Sequence, residues 1–296
     1  ATGETWFGIV GVGALRLSPD GSTRLFTVAD GLPSNEISRI VVDDANQRIW
    51  IGTYSGIARL SRAGNLEATL LRGSRISSLA LDPVTQDVWT STLDGSVLRL
   101  DGPSGWRDVA SYRFPPDPNF HRLVLDPVSR RPWLASATGL WHLEADDHWE
   151  NFHSENSPLP SDNLVGLAVS RTRGEIWVGS LDRRHLGRYG RWGLARIAPD
   201  GRWTVFRTDE QLHDTMVNDI AIDRRTGDRW FATDNGGVSR LSAAGEWSSV
   251  SPRVSGDRLC SFAVRQVTID ERNGDKWFSC WWWLLGGVSH LTADGR

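Results

Sequence analysis

The sequence predicts an all-β fold: a seven-bladed β-propeller of four-stranded antiparallel blades, the terminal blades incomplete. Three observations predict it. Seven tryptophans, Trp6, Trp50, Trp89, Trp133, Trp177, Trp230 and Trp277, recur at intervals of 44, 39, 44, 44, 53 and 47 residues, a period proper to propeller blades. A segment of alternating apolar residues, closed by Asp or Ser and a tight turn, precedes each of the last six. A Gly-x-x-Arg/His-Leu segment or a close variant follows. The pattern runs the length of the chain, so residues 1–296 read as a single domain.

Strand A of each blade is expected at 37–43, 76–82, 122–126, 164–170, 217–223 and 264–270, with Ser170 in the place that Asp takes elsewhere. The turns that follow carry Asp-Pro or Gly-Asp. These suit tight turns, because Asp bonds the backbone just after it and Gly accepts a positive φ. Strand B begins at each tryptophan, as in Trp50-Ile51-Gly52-Thr53 and Trp177-Val178-Gly179-Ser180. Strand C is expected at 56–60, 95–100, 139–143, 193–197, 237–241 and 287–291. Strand D is expected at 24–28, 106–112, 149–153, 203–206 and 247–250, and is poorly specified between 62 and 73. Blades packed face to face bury the seven tryptophans between them, so these read as core and not as ligand platforms.

Composition excludes several classes. Hydrophobic residues at 39% and charged residues at 23% are globular proportions. A net charge of -3 with a pI near 6.2 gives no electrostatic reason to expect nucleic acid. The longest apolar cluster, Trp281-Trp282-Trp283-Leu284-Leu285, falls far short of the roughly 20 residues that span a bilayer; the sequence shows no signal-peptide pattern, so for a secreted protein the expectation is a mature form or an excised piece. Sixteen tryptophans are set against one methionine, and only Lys276 among 33 basic residues is lysine.

The strings Asp30-Gly31-Leu32-Pro33-Ser34-Asn35-Glu36-Ile37 and Leu159-Pro160-Ser161-Asp162-Asn163-Leu164, with the Trp-x-Gly-Thr/Ser and Gly-Ile/Leu-x-Arg-Leu pieces, resemble the two-component-regulator propeller repeat. That resemblance implies a bacterial extracytoplasmic protein, whether periplasmic, cell-surface or secreted. It says little of function, because such repeats serve sensing, scaffolding and secretion accessories alike. The first residues match an A–B turn and the last a C–D hairpin. The expectation is a segment of a longer polypeptide, or terminal strands supplied by another segment or chain.

In a propeller the D–A and B–C loops emerge on one face, and the A–B and C–D turns on the other. Departures from the repeat concentrate on the first face, where function tends to sit. The largest is the insertion 181–192. Its Arg183, Arg184, His185, Arg188, Tyr189, Arg191 and Trp192 could clamp a carboxylate, a phosphate or an acidic partner surface, or form a solvated basic hairpin. The second is Trp281, Trp282 and Trp283, at least one of which strand alternation sends outward to a partner or sugar; core filling is the other reading. Cys260 and Cys280 fall on the same face of one blade; a disulfide there fits an oxidising compartment, and two buried thiols are the other reading.

No Gly-x-Ser-x-Gly elbow, P-loop, His-Glu-x-x-His or Cys-x-x-Cys-His is present, and no cofactor is expected. The favoured reading is a non-enzymatic binding or scaffold module that recognises a protein partner through the irregular face. Two alternatives stand beside it. One is a metal-dependent lyase or hydrolase, as in the similar propellers of streptogramin lyases, with His121, His185, His213, Asp94 and Asp234 converging on a metal. The other is a subunit of a surface assembly or filament, docked through its terminal blades.

Overall fold

The computed structural model describes residues 3–295, apart from 101–104, 109–113, 116–117, 145–147, 182–192, 207–211, 213, 215, 252–258 and 283–284. Its strands form seven antiparallel sheets, five of four strands and two of three. This is a seven-bladed β-propeller whose two terminal blades have three strands each. The chain divides into two compact units, Ala1–Leu125 and Asp126–Arg296.

The first unit begins with the three-stranded blade β1 (Thr5–Ile9), β2 (Gly13–Leu17) and β3 (Thr23–Phe26). Two four-stranded blades follow: β4 (Ile37–Asp43), β5 (Arg48–Thr53), β6 (Gly56–Ser61) and β7 (Leu66–Leu70), then β8 (Ile76–Leu81), β9 (Val88–Thr92), β10 (Val97–Leu100) and β11 (Trp106–Asp108). The last strand of the unit is β12 (Phe120–Leu125). The second unit opens with β13 (Pro132–Ser136), β14 (Gly139–Leu143) and β15 (Trp149–Phe152). Its next blades are β16 (Leu164–Val169), β17 (Ile176–Ser180), β18 (Leu194–Ile197) and β19 (Trp203–Phe206), then β20 (Val217–Ile222), β21 (Arg229–Thr233), β22 (Val238–Leu241) and β23 (Trp247–Val250). It ends with the three-stranded sheet β24 (Val264–Ile269), β25 (Lys276–Trp282) and β26 (Leu285–Leu291).

The repeat motifs do physical work in most of the blades. The Asp that closes strand A accepts a backbone N–H of the turn: Val84 N to Asp82 Oδ1 at 2.8 Å, Val128 N to Asp126 Oδ1 at 2.8 Å and Arg225 N to Asp223 Oδ1 at 2.9 Å. Ser170 does the same with its hydroxyl, accepting from Arg173 N at 3.2 Å. The Ser or Thr that ends strand B hydrogen-bonds the B–C connection, as in Thr53 Oγ1 to Gly56 O at 2.8 Å and Ser136 Oγ to Gly139 O at 2.8 Å. Gly179 in Trp-x-Gly-Ser sits under the next blade: a Cβ there would lie 2.7 Å from Val217 Cβ and 2.8 Å from Val217 O.

The cores lie between blades. In the first unit Trp50, Ile57, Ile76, Leu79 and Val88 form one cluster. In the second, Trp177 packs with Leu194, Val217, Ile220 and Phe231 in a cluster that spans two blades. Trp177 is fully buried, and removing such a side chain costs about 3–5 kcal/mol.

Two strands are better defined than the sequence pattern suggests. Strand D forms in the second blade after all, because β7 pairs with β6 through an irregular register between Arg59 and Leu60. An outer strand needs backbone partners more than apolar side chains, and Leu66 is accordingly exposed. The tryptophan cluster after Cys280 lengthens strand B beyond the repeat. Strand β25 continues through Trp281 and Trp282, which pair with Gly286 and Leu285 of β26. Tryptophan is a good strand former, so the ladder is extended before the chain turns.

Candidate functional site

The D–A connections are shaped by the Leu-Pro-Ser motif. Leu32 and Leu159 are buried anchors. Ser34 Oγ accepts from Glu36 N at 3.0 Å and Ser161 Oγ from Asn163 N at 3.2 Å. Asn35 Oδ1 then accepts from Val28 N at 2.9 Å, and Asp162 Oδ1 from Ser154 N at 2.6 Å. Each loop is thereby tied to the end of the preceding strand D, which fixes where the next strand A begins.

Strand A then starts with a β-bulge. The A–B register slips between Ile37 and Arg39 and between Ile76 and Ser78 in the first unit, and between Leu164 and Gly166, Val217 and Asp219, and Val264 and Gln266 in the second. The extra residue is Ser38, Ser77, Val165, Asn218 or Arg265. A bulge re-aims the side chain at the strand end where it sits, and bulges are frequent beside functional sites. Here that end is the one from which the D–A and B–C connections leave.

In the second unit the bulge residues build a polar network. Asn218 Nδ2 donates to the Val264 carbonyl at 2.9 Å and to Asp234 Oδ1 at 3.4 Å. Arg265 Nη1 lies 3.2 Å from Asp234 Oδ1 and donates to Asn218 Oδ1 at 3.5 Å. Beside it, the Asp214 carboxylate accepts from Asn235 N at 2.7 Å and Met216 N at 3.2 Å, joining the D–A connection to the B–C connection. The Asp234 and Arg265 side chains are 15% and 31% exposed. An ion pair with that much water access contributes about 0–1 kcal/mol, so stability alone gives little reason for it. Its geometry holds a carboxylate, an amide and a guanidinium side by side at the surface.

In the first unit the equivalent end is more apolar. The Arg75 guanidinium lies 5.1 Å from the Tyr54 ring centroid, and Tyr54 is exposed. Ile9, Val10 and Val12, around the turn that joins β1 to β2, are also exposed, Val10 at 71%. Ser77 and Ser91 share a hydroxyl hydrogen bond of 2.8 Å.

The sequence-predicted residues divide as follows. Arg183, Arg184, His185, Arg188, Tyr189, Arg191, Trp192, His213 and Trp283 lie outside the described residues. Trp281 and Trp282 occupy the end of β25. His121 is in β12 of the first unit. Asp94 accepts from the Thr92 hydroxyl and from Ser96 N in its own turn. Among the described residues no group of three His, Cys, Asp or Glu side chains is arranged to hold a metal. Cys260 and Cys280 form a disulfide with a Cα–Cα distance of 5.8 Å, and Cys260 N donates to Ser289 Oγ at 2.8 Å. The D–A connection of the last blade is thus stapled to strands B and C. Sequence reasoning missed Asn218, Arg265, Tyr54 and Arg75. Their signal was position within the repeat: one residue after strand A begins, one after the Ser or Thr of strand B, or one before strand A.

Comparison with known proteins bears on the same motif. The profile described as two component regulator propeller matches residues 31–55, the stretch from the Leu-Pro-Ser loop through strand B of the second blade. Residues 31–55 carry the two component regulator propeller repeat. No curated protein matches the sequence. Solved structures similar to this repeat chain include the extracellular domain of a Bacteroides (B. thetaiotaomicron) protein assigned as a one-component system, at 18% identity and TM-score 0.51, covering 99% of this chain and 45% of that one. The domain is also described as belonging to a hybrid two-component system, at 17% identity, TM-score 0.50 and the same coverage. An ancestral GH74 enzyme is similar at 14% identity and TM-score 0.70, covering 98% of this chain and 45% of that one. At such identities the likeness shows the fold alone, and the chain spans about half the length of each of these structures. Among the described residues no helix is long and apolar enough to cross a membrane.

Proposed function

We propose that this repeat chain is a non-enzymatic, extracytoplasmic binding or scaffold propeller that recognises a protein partner through its D–A and B–C loop end. The observation that carries the reading is the repeated bulge, which sets Asn218 and Arg265 beside Asp234 at the end of the blades where the sequence also departs from its repeat. Arg183, Arg184, His185, Arg188, Tyr189, Arg191 and Trp192, with Trp281, Trp282 and Trp283, belong to the same end by their place in the repeat, and we assign them to the partner contact. In the first unit, taken by itself, exposed Tyr54, Ile9, Val10 and Val12 are the apolar and aromatic kind of residue that protein interfaces favour. The extracellular domains to which the fold is similar and the Cys260–Cys280 disulfide support an oxidising, extracytoplasmic setting.

Site-specific photo-crosslinking in the native host tests this reading. Crosslinkers at Asn235 and Tyr54 are expected to capture a discrete protein, while crosslinkers at Val84 and Val128, in exposed A–B turns, capture none. Capture from Val84 and Val128 with none from Asn235 and Tyr54 would place recognition at the wrong end and overturn it.

A further inference from the structure

The A–B turns of the second unit hold a feature that the loop-end reading does not use. The residue directly after the Asp or Ser that closes strand A is Arg171, Arg224 and Glu271 in three successive blades. The three line a pocket of about 110 Å³ together with Thr172, Val169 and Ile222. Arg224 Nη1 contacts Glu271 Oε2 at 2.5 Å. Arg171 makes no hydrogen bond or ion pair with the described residues. Elsewhere in this unit several arginines pair with carboxylates: Arg229 and Arg196 both with Glu175, Arg240 with Asp228 and Arg272 with Asp270. Here Glu271 pairs with Arg224, and Arg171 shares the pocket lining with no carboxylate of its own among the described residues.

That imbalance has an energetic consequence. Burial first, and the Arg171 charge second, depress the proton affinity of Arg224 from the usual arginine value, while Glu271 offsets part of the effect. Two like charges at the rim of a pocket with an apolar wall repel one another, and an anion between them removes the repulsion. A guanidinium presents a planar fork of N–H donors that matches the oxygens of phosphate or sulfate, and the Thr172 hydroxyl is a further donor.

We infer that Arg171 and Arg224 form a binding site for a phosphate-sized oxyanion, in which the anion takes the place that Glu271 holds on Arg224. The site is independent of the loop-end reading, because it lies at the opposite ends of the strands. Glu271 acts as an internal competitor, which gives the proposal a sign that a general salt effect lacks.

The test is a titration with inorganic phosphate at constant ionic strength, followed through the arginine Nε–H resonances of the whole chain. Saturable shifts at Arg171 and Arg224 are expected. Arg171→Ala weakens binding by about tenfold or more, the loss of one charge-assisted bidentate contact. Glu271→Gln tightens it by a comparable factor, and Arg202→Ala, an exposed turn arginine, leaves it unchanged. A parallel titration with glycerol phosphate distinguishes the source: tighter binding of the ester indicates a phosphate carried on a larger molecule, and equal or weaker binding a free anion. Shifts that never saturate, or that persist unaltered in Arg171→Ala and Glu271→Gln, would overturn the site.

Discussion

Trp50, Trp89, Trp177 and Trp230 each stand opposite an arginine of strand C, paired across the ladder with Arg59, Arg99, Arg196 and Arg240. The guanidinium carbons lie 5.4–5.8 Å from the ring centroids, a cation–π arrangement worth about 0.5–1 kcal/mol where water has access. This explains why the Gly-x-x-Arg-Leu motif keeps a cation on an otherwise apolar strand. In two blades the partner is histidine: His142 stacks on Trp133 at 3.8 Å and 8°, and His290 on Trp277 at 4.1 Å and 16°. The substitution makes the pair titratable. His142 Nδ1 lies 2.8 Å from Glu144, with Glu150 opposite on β15 and Asp126 and Arg131 also acting on it. Burial against Trp133 outweighs the carboxylates, so the His142 pKa falls below the ordinary 6.5. The unfolded chain therefore binds the proton more tightly than the folded one. The stability from neutral His142 is present above about pH 6.5 and is lost as pH falls through the folded value. Denaturant unfolding followed against pH is expected to show this slope in the wild type and a shallower one in His142→Gln; identical slopes would contradict it.

At the scale of strands and connections, the design is a rigid blade with one adjustable end. Asx turns and hydroxyl caps bind the A–B and B–C backbones locally, while in five blades a bulge at the start of strand A re-aims one side chain at the loop end. The last blade adds a covalent tie. Closing a chain segment of 20 residues removes conformational freedom from the unfolded state worth about 3 kcal/mol. The Cys260→Ser, Cys280→Ser double variant is expected to lose about that much in chemical unfolding, with amide exchange accelerated first around Val264–Ile269 and Leu285–Leu291. An unchanged unfolding free energy would contradict it. Most strands were legible in the sequence because period-2 burial and the tryptophan spacing report backbone geometry directly. Strand β7 was not, because an outer strand with exposed Leu66 leaves little apolar pattern. The length of the β25–β26 ladder was not legible either, because the repeat ends strand B near Cys280 and alternation alone does not say how far a strand runs.

For the whole molecule, the seven-bladed architecture follows from repetition: each strand pattern is ambiguous alone, but seven copies at one period admit few folds. The site follows far less. Asn218 of β20, Asp234 just after β21 and Arg265 of β24 meet only when two blades pack, and no spacing in the sequence announces that meeting. The same packing assembles Arg171, Arg224 and Glu271 from three turns. What the sequence does mark is the insertion 181–192, because it breaks the repeat. The most direct test of the loop-end account replaces residues 182–192 with a two-residue Asn-Gly turn. The variant's affinity is then measured for the protein that the Asn235 crosslinker captures, with thermal unfolding as the control for folding. The account predicts an unchanged melting transition and a Kd weakened by about tenfold or more, as loss of a buried arginine or tryptophan contact produces. A folded variant that binds the partner with undiminished affinity would contradict it.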